Sequence, residues 1–298
     1  MRIRGTFIED TFAEAFTMRA ARIIITAHSL TWARHAASKL TGFATSVIQC
    51  KCEAGVDREL DPKETPDGRP GVSVLFMTMG KDDMPKRLVE RIGQTVLTCP
   101  TTACFDGLPE VPDRVAVGSS LKFFGDGFQA SKVINGERFW RIPVMEGEFL
   151  VQEKFGMQKA VAGGNFLILA ETAETALSAA EAAVSAMTGR AGVIMPFPGG
   201  IVRSGSKVGS RTSKTMIAST NDAFCPTLRA VTPTQIPEGV NSVLEIVLNG
   251  LDGAAIEGAM RLGIDAACRD GVRSITAGNY GGKLGPHHFY LRKIMGGG

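Results

Sequence analysis

At 298 residues and 31.6 kDa the chain has room for two domains of roughly 150 residues each. Its 44% hydrophobic and 21% charged residues exclude a mainly disordered chain. The 33 basic and 30 acidic residues leave a net charge of +3, too small and too evenly spread for the electrostatic footprint of a nucleic-acid binder, although small anions remain eligible partners. The 35 glycines amount to about 12% against an average of about 7%. Their irregular spacing excludes a collagen-like repeat and marks tight turns. No apolar run approaches the roughly 20 residues of a membrane span, and the opening MRIRGTFIEDTF has no signal core, so a cytoplasmic location is expected.

The first half begins with a β-branched run at 21–27 (ARIIITA), read as a buried strand. Ser29 is its candidate helix cap, with a helix to about Leu40 closed by Gly42. Extended structure is expected to resume at 43–48 (FATSVI). After a loop at 53–71, residues 72–79 (VSVLFMTM) read as a strand. Met84, Leu88 and Ile92 then mark one face of a helix, and 94–98 a further strand. Asn135-Gly136 between two apolar stretches is a strong two-residue hairpin signal.

The second half repeats the plan. A strand at 165–170 precedes an alanine-rich helix capped by Thr172, and 192–195 follows as a strand. Then come a strand at 242–248 (SVLEIVL), a helix from Asp252 to about Cys268 and a strand at 272–276. The expected fold class is α+β: two ferredoxin-like α/β sandwich lobes, 1–150 and 151–298, related by internal duplication. Residues 197–241, rich in Gly, Ser, Thr and Pro, make a connection too long to be a simple link.

Familiar site motifs fail. Gly200 to Gly205 has Ser206-Lys207 where a phosphate-binding loop needs Lys followed by Ser or Thr, and there is no dinucleotide fingerprint or serine-hydrolase elbow. The six cysteines are expected as reduced thiols, and neither their spacing nor that of the four histidines matches a metal site. Several long strings nevertheless resemble one family: EDTFAEAF (9–16), TGFATSVI (41–48), ETPDGRPGV (64–72), RIGQTVLTCPT (91–101), FFGDG (123–127), AGGNF (162–166), PFPGGIV (196–202), STNDAFCPT (219–227) and TAGNYGGKLG (276–285). The chain is similar over nearly its whole length to formylmethanofuran:tetrahydromethanopterin formyltransferase.

That resemblance implies a two-lobed cytoplasmic enzyme of one-carbon metabolism that moves a formyl group between the amine of methanofuran and a ring nitrogen of tetrahydromethanopterin. Both carriers act as substrates, with no metal and no bound prosthetic group. It further implies a homotetramer built as a dimer of dimers. Gln49, Lys51 and Arg203, the net positive charge and the ending LRKIMGGG depart from the acidic archaeal pattern and favour a bacterial relative working in a formyltransferase/hydrolase complex. The competing expectation is a non-catalytic scaffold subunit that binds the polyglutamyl arm of methanofuran.

Formyl transfer between amines needs two substrates held close, donors for a developing oxyanion and a proton relay, but no nucleophilic side chain. Glu245 is the relay candidate, because in SVLEIVL it shares a strand face with Val243 and Val247, where a carboxyl has a raised pKa. A glutamate on a solvated face is the alternative. Gly163, Gly164, Gly199 and Gly200, with Asn165, Ser204 and Ser206, are candidate substrate donors, or else turn residues. Arg69, Lys207 and Lys283 are candidate partners for substrate carboxylates, and Asn221 and Asp222 for the pterin or for pinning a loop. Cys225 reads as a buried small hydrophobe.

Overall fold

The computed structural model describes residues 1–297; Gly298, the last of the LRKIMGGG run, lies outside the described residues. The chain divides into two compact units: 1–17 with 161–188 and 195–298, and 18–160 with 189–194. These units differ from the halves 1–150 and 151–298 in three short segments, 1–17, 151–160 and 189–194. The fold is mixed α/β, with a mixed sheet in each unit.

In the unit of 18–160, the strands run in the order Glu53–Leu60, Gly71–Thr78, the later part of Phe12–Thr26, Ala103–Asp106, Gly147–Gln152, Glu137–Val144 and Ala130–Ile134. Every neighbouring pair is antiparallel except Ala103–Asp106 with Gly147–Gln152. Helices Leu30–Thr41 and Asp83–Arg91 supply Ala33, Ala37, Leu40, Met84 and Leu88 to one core with Ile23, Ile25, Val74 and Phe76. The hairpin at Asn135-Gly136 forms as the sequence predicts, with both residues at positive φ (51° and 82°), the requirement of a turn that matches strand twist.

Four expectations for this half are corrected. The strand at 21–27 is the end of a 15-residue strand, Phe12–Thr26. Its first part is masked by Ala13, Glu14, Ala15 and Arg19, whose intrinsic strand preference is weak and is overridden by pairing. Residues 43–48 are not extended: Phe43 turns the chain at φ 50°, and Val47–Cys50 is one helical turn, held by the Glu53 carboxylate accepting from the Val47 amide at 3.1 Å. The strand instead begins at Glu53, inside the stretch read as a loop. Residues 94–98 likewise prolong the helix through a π-helical turn, Ile92–Val96. There the hydroxyls of Thr95 and Thr98 donate back to the carbonyls of Arg91 and Gln94, four residues earlier, and so accommodate β-branched side chains in a helix.

The other unit orders its strands Ser242–Gly250, Gln158–Ala170, Val272–Thr276, Thr6–Ile8 and Arg2–Ile3. Helices Ala173–Met187 and Gly253–Ala267 start on side-chain caps, from Thr172 as expected and from Asp252. Their buried faces are mostly alanine and glycine, so they approach closely. A side chain at Gly263 would meet Met187 Sδ at 2.6 Å and the Phe166 ring at 3.0 Å. Phe166 therefore points to the helices, while Leu167 and Leu169 cluster on the opposite face with Ile236 and Val240 from the long loop. That loop is anchored by its own apolar residues over the sheet.

Candidate active site

Glu245 stands directly opposite Leu167, and Leu167 opposite Thr276, so the three side chains form a row on the sheet face away from the helices. Along its own strand Glu245 shares that face with Val243, which packs against the Leu167 and Leu169 cluster. On its other side it exchanges two backbone hydrogen bonds with Val202 (2.8 and 2.9 Å), tying the start of the long loop to the strand. Glu245 is half-buried, and burial pushes its carboxyl up to about 7. A carboxyl with that pKa both gives and takes a proton near neutrality, the behaviour anticipated from the apolar spacing of SVLEIVL.

Immediately after Val202 the loop opens a cleft of about 600 Å³, lined by Arg203, Ser204, Gly205 and Ser206 and by Ala218, Ser219 and Thr220. Ser204 and Ser206 are where the sequence expectation wanted polar donors. The link between this cleft and Glu245 is a residue that the sequence reading passed over, Tyr280. Burial raises the pKa of its phenol, the negative charges of Glu245 and Glu14 raise it further, and a hydrogen bond with the Ser206 hydroxyl draws it back. The available signal was a lone aromatic inside a glycine-rich turn, TAGNYGGKLG.

The remaining candidates divide by what their polar atoms already do. Gly163 and Gly164 form a β-bulge, with Gly163 at φ 92° and its amide donating to Asn249 Oδ1 at 3.0 Å, and with Ile256 against the Gly164 Cα. Asn165 is buried. Its Oδ1 accepts from the Gly278 amide at 2.6 Å, and its Nδ2 donates to the carbonyls of Gly163 (3.0 Å) and Gly278 (3.2 Å). These residues hold the neighbouring loop in place. Asn165→Ala should lower stability by about 1–3 kcal/mol, since it removes the acceptor of the part-buried Gly278 amide and a donor from the Gly163 and Gly278 carbonyls; an unchanged thermal midpoint would dismiss the pinning role.

Gly199 and Gly200 lie in the 3₁₀ turn Pro198–Gly200, both at positive φ. Gly200 abuts Val184, whereas Gly199 is exposed with open space where a side chain would stand. Lys207 Nζ pairs with Asp222 Oδ1 at 2.6 Å, and Arg211 pairs with the other oxygen of the same carboxylate. The two hydrogen bonds, from Lys207 first and then Arg211, pull Asp222 down to about 2. Asn221 begins the 3₁₀ turn Asp222–Phe224, and its Cβ lies so close to Gly205 that only glycine fits there. Lys283 is exposed on the 276–285 loop.

Arg69 belongs to the other unit and is fully engaged there: Nε donates to Asp67 (2.8 Å), Nη1 to the Thr101 carbonyl (2.5 Å) and Nη2 to Thr26 Oγ1 (3.0 Å). Its three guanidinium nitrogens thus already have acceptors within that unit. Cys225 is half-buried and not fully buried as expected, with its thiol donating to the Asn221 carbonyl at 3.3 Å. All six cysteines are free thiols. Among the described residues no group of three or more His, Cys, Asp or Glu is placed to hold a metal ion, and no helix is long and apolar enough to cross a membrane.

A mixed α/β chain with a carboxyl raised to about 7 on a strand bridged to a serine-lined loop has groups suited to acid–base group transfer. Residues 1–144 match the family model described as formylmethanofuran-tetrahydromethanopterin formyltransferase, and 147–294 match that of its proximal lobe. The chain is 61% identical to the formylmethanofuran–tetrahydromethanopterin formyltransferase of Methylococcus capsulatus and 51% identical to that of Methanopyrus kandleri, each over 99% of this chain and 100% of the relative. Among solved structures, the formyltransferase from Methanosarcina barkeri superposes with a TM-score of 0.94 at 50% identity, over 99% of this chain and 100% of that one. The formyltransferase/hydrolase complex from Methylorubrum extorquens, solved with methylofuran, contains a chain that superposes with a TM-score of 0.95 at 47% identity, over 99% and 98%. The chain belongs to the formylmethanofuran–tetrahydromethanopterin formyltransferase family.

Proposed function

We infer that this chain is the enzyme that moves a formyl group between formylmethanofuran and the ring nitrogen of tetrahydromethanopterin, and that Glu245 is its proton relay. The observation that carries the mechanistic part is the Glu245 carboxyl, held at about 7 one backbone bridge away from a cleft lined by Ser204 and Ser206. The acceptor nitrogen attacks the formyl carbon, and a C–N bond forms as the carbonyl electrons move to oxygen. Glu245 takes the proton from the attacking nitrogen. The tetrahedral adduct then collapses, the bond to the first nitrogen breaks, and that nitrogen receives the proton from Glu245. Atoms and electrons balance without a resident cofactor or a covalent enzyme intermediate.

Ser204, Ser206 and the open turn at Gly199 are the donors best placed for substrate amides, and exposed Lys283 is the cation left for a substrate carboxylate. Lys207 and Asp222, already paired, serve the shape of the cleft more than its charge. The β-α-β-β-α-β succession from Phe12–Thr26 to Ala103–Asp106, with the last strand beside the first and the second strand at the edge, supports reading that unit as ferredoxin-like, and the two helices on the other unit's sheet support a duplicated plan. The enzyme is proposed to work in the cytoplasm, as a dimer of dimers or inside a formyltransferase/hydrolase complex of a bacterial one-carbon pathway.

Purified protein mixed with formylmethanofuran and tetrahydromethanopterin should generate the absorbance of the formylated pterin. Its absence would return the scaffold reading to first place. Size exclusion of native extract separates a free homotetramer from a larger complex.

A further inference from the structure

Glu14 is a carboxylate that the transfer chemistry above does not use, and it is 1% exposed. Among the described residues no arginine or lysine pairs with it. Its two oxygens instead accept four backbone amides of one loop: Oε2 from Tyr280 (2.7 Å) and Gly282 (2.9 Å), and Oε1 from Leu284 (2.5 Å) and Gly285 (2.6 Å). The loop is wrapped around the carboxylate as a ring of amides wraps a bound anion. Burial alone would raise the pKa of this group, but the four amides outweigh it and bring it down to about 2, so the charge is present at every working pH.

The backbone around the loop is built for this contact. Glycines at 282 and 285 let their amides face inward: a side chain at Gly285 would collide with the Ala15 carbonyl, and one at Gly282 would press on the His288 ring at 3.1 Å. The start of the loop is fixed separately, by Asn165 on Gly278 and by Asn279 Nδ2 donating to the Phe12 carbonyl at 3.1 Å. The large side chains of the loop are those of half-buried Tyr280 and of exposed Lys283 and Leu284. Thr276, from which the loop departs, stands in the same cross-strand row as Leu167 and Glu245.

We propose that Glu14 is a positioning residue for formyl transfer: by gathering the amides of 280–285 it fixes the Tyr280 phenol between Ser206 and Glu245, where the O–H is a donor to the formyl oxygen as negative charge develops on it. A phenol kept neutral suits that task, and the same two carboxylates that stand near it oppose its ionisation. The inference rests on the formyltransferase reading for its chemistry, but the placement of the phenol has a readout that needs no substrate.

The chain holds two tyrosines, Tyr280 and Tyr290. In a Tyr290→Phe background the ultraviolet titration of phenolate absorbance therefore reports Tyr280 alone. Adding Glu14→Gln replaces one acceptor oxygen with a donor and removes the charge. The Tyr280 midpoint should then move to lower pH, and kcat should fall by about tenfold to hundredfold while KM changes little. A variant that is folded by circular dichroism but has an unmoved phenol midpoint and kcat within about twofold of the parent makes Glu14 a fold staple only, and overturns the proposal. If Glu14→Gln does not fold, Tyr280→Phe decides: it leaves the four amide bonds in place, so its thermal midpoint should hold while kcat drops by a comparable factor. Retained kcat in Tyr280→Phe overturns the proposal as well. Failure of wild-type turnover, by contrast, would count against the formyltransferase reading and leave the titration result standing.

Discussion

Glu245→Gln should lower kcat for formyl transfer by about 10²–10⁴, the range that a positioned acid–base group contributes. The amide keeps the size of the carboxyl and fits the same half-buried place between Leu167 and Val202, so the loss reports proton transfer and not packing. The pH profile separates the two further. With its carboxyl at about 7, wild-type enzyme should have an inflection in kcat/KM near that pH, where the ionised and protonated forms are equally populated. The variant should retain only inflections that belong to other groups. Turnover close to wild type, or an inflection near 7 that survives the substitution, would remove Glu245 from the reaction.

The same group makes a stability prediction of opposite sign. The folded pKa of about 7 lies above the ordinary value of 4.5, so between those two pH values the folded state holds a proton that the unfolded state has released. Stability from this group is therefore complete below about pH 4.5 and is lost as pH rises through 7, by up to ~3 kcal/mol at roughly 1.36 kcal/mol per pH unit. Glutamine carries no such cost. Melting midpoints of the two proteins should differ least below about pH 4.5, diverge between pH 4.5 and 7 and stay apart above pH 7, with the inactive variant the more stable. A carboxyl retained at the expense of stability is what a catalytic role predicts.

How much of this was legible in the sequence depended on whether a residue's task is written in its own type. Glu245 was legible, because an acid in an alternating apolar run on a strand has a defined face and a defined consequence for its pKa. The hairpin at Asn135-Gly136 and the cap at Thr172 were legible for the same reason: local chemistry fixes them. Glu14 was not. It lies in a stretch of weak strand preference, and its partners are main-chain amides some 270 residues away, to which sequence is silent. The polar atoms that made Asn165 and Gly163 attractive as substrate donors are occupied by the neighbouring loop and strand. Arg69 follows the same rule, since a cation in a glycine-proline turn looks available until its three acceptors are known.

The strand Glu53–Leu60 was the largest omission, and its hidden logic yields the second strong prediction. EAGVDREL reads as solvated loop because four of its eight residues are charged. One of them, Asp57, is nevertheless only 2% exposed, with its carboxylate accepting the Ser73 hydroxyl at 3.0 Å and the Gly192 amide at 2.6 Å, and paired with Arg22 at 3.1 Å. Asp57 is thus a tie between the strand, its sheet neighbours and the 189–194 segment of the same unit. Removing it as Asp57→Ala strands a buried amide, a hydroxyl and most of an arginine charge at once, and breaking a buried pair from one side costs about 3–5 kcal/mol. The whole unit should melt earlier, by about 2–4 °C for each kcal/mol lost. Asp57→Asn keeps an acceptor and should lose less. If both variants melt with wild type, the buried carboxylate is not what holds this charged strand inside the sheet.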